Sequence, residues 1–231
     1  MNLEPLIEEL KSIAEEFPLK EYFTWMMPED CPLDFPSEIT SNYDRNIFMK
    51  HNLSSLLVND LTNRYWVIQK WGGIGSLKST EKNDDILSKL DARLSKGALD
   101  KNTFDVISSM SKVASFLDHT KYAIYDSRVI YSLNWLLLKH TDTNEFYPMP
   151  SGRNKDLIKL DLDTIINLTG RDSDKISYKD AYHRYCDLMI ELSKAIYERH
   201  EPYWSEMLLF SIAPKYITGD IKQSISISIN D

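Results

Sequence analysis

The chain has 231 residues, with 27 Lys and Arg against 35 Asp and Glu, a net charge of −8. Its 42% hydrophobic and 27% charged content exclude a disordered or fibrous protein and leave room for a large core. The acidic balance argues against a protein that patrols duplex DNA by overall charge.

Seven glycines are few for this length, and they argue for long helices joined by short turns. Cys31 and Cys186 belong to no Cys-x-x-Cys pair, so cysteine can build neither a zinc site nor an iron–sulfur cluster. No cofactor or metal is expected. Two reduced thiols, an N-terminus without a basic segment and apolar run, and no apolar stretch near the ~20 residues of a membrane span give a cytoplasmic expectation with no membrane partner.

In chain order, Leu3, Leu6, Ile7, Leu10, Ile13, Ala14 and Phe17 recur at helical spacing and predict an amphipathic packing helix. Leu19 to Pro36 carries Pro28, Pro32 and Pro36 beside Trp25, Met26 and Met27. It reads as an irregular segment whose aromatic and Met side chains cover a seam. Ile47 to Trp71 is strongly helical, with Leu53, Leu56, Leu57 and Leu61 on one stripe, and ends in a cap and turn at Gly72-Gly73-Ile74-Gly75. Arg64 and Lys70 are either solvated or phosphate contacts. A helix over Ile86 to Ala98 gathers Lys89, Arg93 and Lys96 into a small basic patch.

Ser108, Ser109 and Ser111 precede an apolar run and predict a capped helix start with Lys112 in its first turn. The positive end of a helix and partial burial both disfavour an ammonium there, which frees the amine as a nucleophile. Asp126 then N-caps a second, strongly apolar helix through Val129, Leu133 and Leu137. Beyond Lys139, Thr141 to Asp156 reads as a surface excursion and Leu157 to Leu168 as a mixed helical segment, followed by a polar linker over 170–177. Tyr178 opens a long helix to about His200, and Pro202 starts the last one. His183 and His200 lack the carboxylate pattern of a metal site. Ser224 to Asn230 alternates Ser and Ile, a strand-like or tail pattern.

Ser108-Ser109-Met110-Ser111-Lys112-Val113-Ala114, then Ile124-Tyr125-Asp126-Ser127-Arg128-Val129, then Tyr203-Trp204-Ser205-Glu206-Met207-Leu208-Leu209-Phe210-Ser211 resemble, in order, three segments of the helix-hairpin-helix DNA glycosylases of the 8-oxoguanine branch. The resemblance implies a mostly α, two-lobed helical fold with a cleft between the lobes. Residues 47–140 would form the central lobe, and 1–46 with 141–231 the other, in a single domain. Lys112 would be the nucleophile that attacks the sugar, and Asp126 the assisting carboxylate. Glu206 would read the base edge and Phe210 stack on the flipped base, with Phe116 and Arg128 completing the substrate-binding set. The implied activity is a DNA glycosylase with AP lyase activity, removing an oxidised or modified guanine-type base through a lysine Schiff base. DNA is the expected partner.

Three positions, in two places, depart from the family. Ser108 and Met110 stand where the hairpin has glycines, and Glu206 stands where the family has glutamine. These departures, with the acidic charge, keep open a second reading: a glycosylase-fold protein that binds a modified guanine, a nucleotide or a nucleic acid without cleaving it. Such a protein would work with partner proteins in a bacterial defence or modification system.

Overall fold

The computed structural model describes residues 1–151 and 157–226, and for Ile158 the backbone alone. It is mostly helical. In order come α1 (Glu4–Glu16), α2 (Leu19–Tyr22), α3 (Asn42–Asn52), α4 (Ser54–Leu57) and α5 (Leu61–Trp66), which continues as a π-helical turn over Val67–Trp71. Next are α6 (Glu81–Ser88), α7 (Leu90–Leu94), α8 (Lys101–Phe104), α9 (Ile107–Leu117) and α10 (Ser127–His140). The C-terminal part holds α11 (Leu162–Leu168), α12 (Tyr178–Tyr197), α13 (Tyr203–Ile212) and α14 (Thr218–Ser224), with a second π-helical turn over Ala213–Ile217.

Helix α10 is buried almost all round from Val129 to Leu137, as an interior helix of a helical protein must be. It packs against α13, α1 and the turn after α13, while α12 covers α13 and α1. The N-terminal helix buries Leu6, Leu10 and Ile13 on one stripe, matching its predicted amphipathic face. A second group gathers round α9, which contacts α3, α4, α7, α8 and the π-helical turn before Gly72.

Three segments differ from the sequence expectation. The helical region 47–71 is broken where Asn59 turns with φ 56° and Asp60 caps α5 by accepting from the Asn63 amide. The predicted helix over 86–98 is two short pieces meeting at Lys89. Two of the three cations of its basic patch are paired, Lys89 with Asp85 and Arg93 with Asp85 and Asp100. Arg64 is no phosphate contact either, since it is buried and donates to the Leu57 and Leu87 carbonyls and to Asp91.

The stretch after α10 is not a loose excursion in its described part. Strand β1 (Glu145–Phe146) pairs in parallel with β2 (Asp174–Lys175). Tyr147 exchanges two hydrogen bonds with the buried Asn134 side chain, at 2.8 and 3.0 Å. Arg171 donates to the Leu138 and Thr141 carbonyls at the end of α10. Of the Ser/Ile tail, Ser224 ends α14, and the residues from 227 on lie outside the described ones.

Candidate active site

Helices α9 and α10 are joined by a buried, non-helical strip whose backbone groups find side-chain partners, as buried polar backbone must. The Ala123 amide donates to Cys186 Sγ and the Ala123 carbonyl accepts from Tyr182 Oη. The Ile124 amide donates to Glu206 Oε2 at 3.1 Å, and the Ile124 carbonyl accepts from Tyr185 Oη at 2.7 Å. The Tyr125 amide donates to Ser111 Oγ at 2.9 Å. The strip therefore delivers Asp126 to a fixed place. Asp126 caps α10 with one oxygen, accepting from the Arg128 amide at 2.8 Å. Its other oxygen lies 3.6 Å from Lys112 Nζ.

Lys112 does not sit in a first helical turn. Helix α9 begins at Ile107, and no side chain caps its start. The serines 108, 109 and 111 lie inside the helix instead, where Ser111 holds the strip. Lys112 is thus mid-helix, and its setting comes from burial, with only 5% of its surface exposed. Its Nζ donates to the Ser108 carbonyl one turn back, at 3.2 Å. Room for the lysine stem is made by Gly72: a β-carbon there would lie 2.5 Å from Lys112 Cδ and 2.7 Å from the Ile68 carbonyl oxygen. Gly72 has ordinary helical torsions, so space, and not backbone freedom, demands glycine here.

Lys112, Asp126, Glu206 and Phe210 line one pocket, together with Phe23, Trp25, Trp71, Gly72 and Ile124. Its cavity volume is about 40 Å³, far below the roughly 300–1,000 Å³ of ligand sites, so a base enters only if the aromatic wall moves. The aromatic wall is pinned by polar contacts. Trp25 Nε1 donates to the Trp71 carbonyl, Trp71 Nε1 to Asn46 Oδ1, and Asn46 Nδ2 to the Trp25 carbonyl. Phe210 meets Trp25 edge to face at 5.5 Å. Arg128 lies 4.8 Å over the Phe210 ring and has no ion-pair partner among the described residues. Phe116 does not reach the pocket: it is fully buried behind it, edge-on to Trp71.

Behind the pocket stands Lys50, which the sequence reading missed. It is buried on α3, donates to Ser115 Oγ at 3.0 Å, and lies 3.8 Å from Glu206 Oε2. The Phe116 ring sits 4.6 Å beneath its ammonium. Burial pulls the Lys50 ammonium down to about 8. Burial likewise pushes the Glu206 carboxyl above its usual range, against the pull of Lys50 and the Ile124 amide. Two lysines and two carboxylates thus share one region, with formal charges that cancel. Lys50 had a signal in sequence, since it lies three before Leu53 and seven before Leu57 and so falls on the apolar stripe. Gly72 had none beyond a double glycine, which reads as a turn. Phe23 and Trp25 belonged to the segment expected to cover a seam.

No group of three or more metal-ligating side chains occurs among the described residues, and none of their helices is long and apolar enough to cross a membrane. No protein-family model, no curated protein and no solved structure matches the chain.

Proposed function

We propose that the chain is a DNA glycosylase and AP lyase of the helix-hairpin-helix type, acting on an oxidised or modified guanine-type base. One observation carries the reading. Lys112, Asp126, Glu206 and Phe210, drawn from segments far apart in the chain, line the same pocket, with Lys112 and Asp126 3.6 Å apart. A two-lobed arrangement with a cleft accommodates this, because the lining residues come from 1–46, from 47–140 and from the C-terminal helices.

In the proposed reaction Lys112, as the neutral amine, attacks C1′ of the flipped nucleotide. The C1′–N bond breaks and the base departs with that electron pair, taking up a proton. Asp126 is the nearest carboxylate to take the proton the amine sheds, and it stabilises the positive charge that develops on the sugar. Opening of the C1′–O4′ bond, with O4′ taking up the proton held by Asp126 to become a hydroxyl, gives the Schiff base. Loss of a C2′ proton then expels the 3′ phosphate, and water releases the lysine. A guanine edge offers N1–H and N2–H₂. Glu206 Oε2 is taken by the Ile124 amide, while Oε1 has no hydrogen bond among the described residues and supplies an acceptor. Entry of a base parts Phe210 from Trp25, and Arg128 would then travel with the ring it covers.

Borohydride trapping on DNA carrying 8-oxoguanine or an abasic site tests the reading. A covalent adduct is expected with the wild-type chain, none with Lys112→Gln, and adduct formation slowed roughly 10²–10⁴-fold with Asp126→Asn. An adduct that survives in Lys112→Gln moves the nucleophile elsewhere. The neutralised Lys89 and Arg93 patch favours a second reading, a glycosylase fold that only holds a modified guanine, a nucleotide or a nucleic acid, in partnership with other proteins of a bacterial defence or modification system. Tight binding without any trapped adduct would select it.

A further inference from the structure

Lys50 touches no part of the pocket surface, yet it is the cation nearest to the buried oxygen of Glu206. We infer that Lys50 is a positioning residue that keeps Glu206 ionised in the pocket wall, so that the wall presents an acceptor only. The inference deepens the base-reading role proposed for Glu206 and rests on that reading for its consequence.

Glu206 is 3% exposed and Lys50 is 4% exposed, so water does little to hold charge on either. A carboxylate in such a place persists only with a counter-charge and hydrogen bonds to it. Glu206 has both on one oxygen, the Lys50 ammonium at 3.8 Å and the Ile124 amide at 3.1 Å. Lys50 in turn is fixed from three sides. Its Nζ donates to Ser115, stands over the Phe116 ring and lies 6.0 Å from the centre of the Tyr203 ring.

The other charged or titratable groups facing this pair are Lys112 from α9, Asp126 from the strip, Tyr185 and Cys186 from α12, and His119 beyond the end of α9. Lys112 and Asp126 are a pair of their own and act on Glu206 in opposite senses. The tyrosine and the thiol are held neutral, since burial raises both. Lys50 is therefore the group whose removal leaves Glu206 without its closest compensation.

The alternative state moves the proton across, giving a neutral amine and a carboxylic acid. That acid is a donor as well as an acceptor, and it would suit a base edge with its own acceptor, such as adenine N1. The charge state of Glu206 thus sets which edge the pocket takes, and Lys50 sets the charge state.

The test labels Glu206 at Cδ and follows its carbon shift with pH in the wild-type chain, Lys50→Arg and Lys50→Met, without substrate. The expected result is a carboxylate at pH 7 in the wild type and in Lys50→Arg, and a carboxylic acid at pH 7 in Lys50→Met. A carboxylic acid in the wild type at pH 7 overturns the inference, and so does a carboxylate in folded Lys50→Met. Should Lys50→Met fail to fold, the wild-type titration and the Lys50→Arg chain decide. Trapping on matched oligonucleotides is then compared, with Lys50→Met expected to lose at least tenfold of the guanine-over-inosine preference and Lys50→Arg to keep it. Unchanged preference in a Lys50→Met chain with protonated Glu206 overturns the specificity role. Absence of any adduct from the wild type sinks the glycosylase reading instead, while the carbon shift still decides what Lys50 does to Glu206.

Discussion

Gly72 and Lys112 are mutually fitted: the lysine stem occupies the volume where any other residue at 72 would carry its β-carbon, 2.5 Å from Cδ. The backbone oxygen of Ile68 closes the other side at 2.7 Å, so the strain cannot be relieved by a side chain swinging away.

Gly72→Ala is accordingly expected to push Lys112 off its line to Asp126. Overpacking of this kind destabilises by about 1–3 kcal/mol, read as a lower urea midpoint. Trapping through Lys112 should fall by more than the unfolded fraction accounts for, about tenfold or beyond. Equal trapping per folded molecule would show that the lysine needs no such fit.

Specificity should follow Glu206 and Phe210. Glu206→Gln keeps one acceptor and adds a donor, and is expected to weaken guanine-edge recognition by roughly 1–3 kcal/mol. Phe210→Ala should lose about 1–3 kcal/mol of stacking with little regard to the purine offered. Oligonucleotides carrying guanine, 8-oxoguanine, inosine and adenine make the comparison, with inosine between guanine and adenine because it lacks the N2 amine. If guanine and inosine behave alike and Glu206→Gln changes neither, the base assignment fails.

The buried pair also sets a pH dependence of stability. Lys50 loses its proton near pH 8 in the folded chain and near 10.5 in the unfolded one. Between those values the unfolded chain binds more protons, so stability rises with pH. Glu206 works the other way: its folded value lies above 4.5, so stability falls as pH rises from 4.5 through that folded value. Against Lys50→Met/Glu206→Gln, which lacks both titrations, the wild type should gain up to about 3 kcal/mol on the alkaline side. Urea unfolding at pH 4.5, 7 and 9.5 measures the difference, and a flat one would show that the pair does not titrate in this way.

The thiols should separate cleanly. Burial pushes Cys186 up to about 12, leaving on the order of one thiolate in ten thousand at pH 8. Cys31 is raised too but is partly exposed. Iodoacetamide on the native chain is expected to mark Cys31 alone, with Cys186 reacting only after denaturant is added, as peptide mapping would read. Native labelling of Cys186 would mean that the strip it supports opens readily.

Helical character, the ends of α1 and α10 and the start of α12 were legible because period and caps are local: Asp126 caps α10 as its spacing predicted, whereas α12 stops at Tyr197, short of His200, and α13, with Pro202 at its N-cap, is followed by α14 and is not the last helix. The convergence of Lys112 with Asp126 and of Glu206 with Phe210 was reachable through ordered resemblance, not periodicity. Lys112 was misplaced along its helix because three serines are common at helix starts, whereas here Ser111 is used to hold another segment's amide. Gly72 and Lys50 stayed out of view for a common reason. What defines each is a neighbour that comes from elsewhere in the chain, Lys112 for the one and Glu206 for the other, and no local window contains that neighbour.

The strip between α9 and α10 sets an order of events. Its anchors on α12 and α13 lie between 59 and 82 residues further along the chain. A growing polypeptide that has already made both Lys112 and Asp126 therefore has the Tyr125–Ser111 bond but none of these four anchors to hold them in register. Lys112 and Asp126 are fully fixed relative to each other only once Tyr182, Tyr185, Cys186 and Glu206 have closed round the strip, so the arrangement of this pair waits on docking of the C-terminal helices.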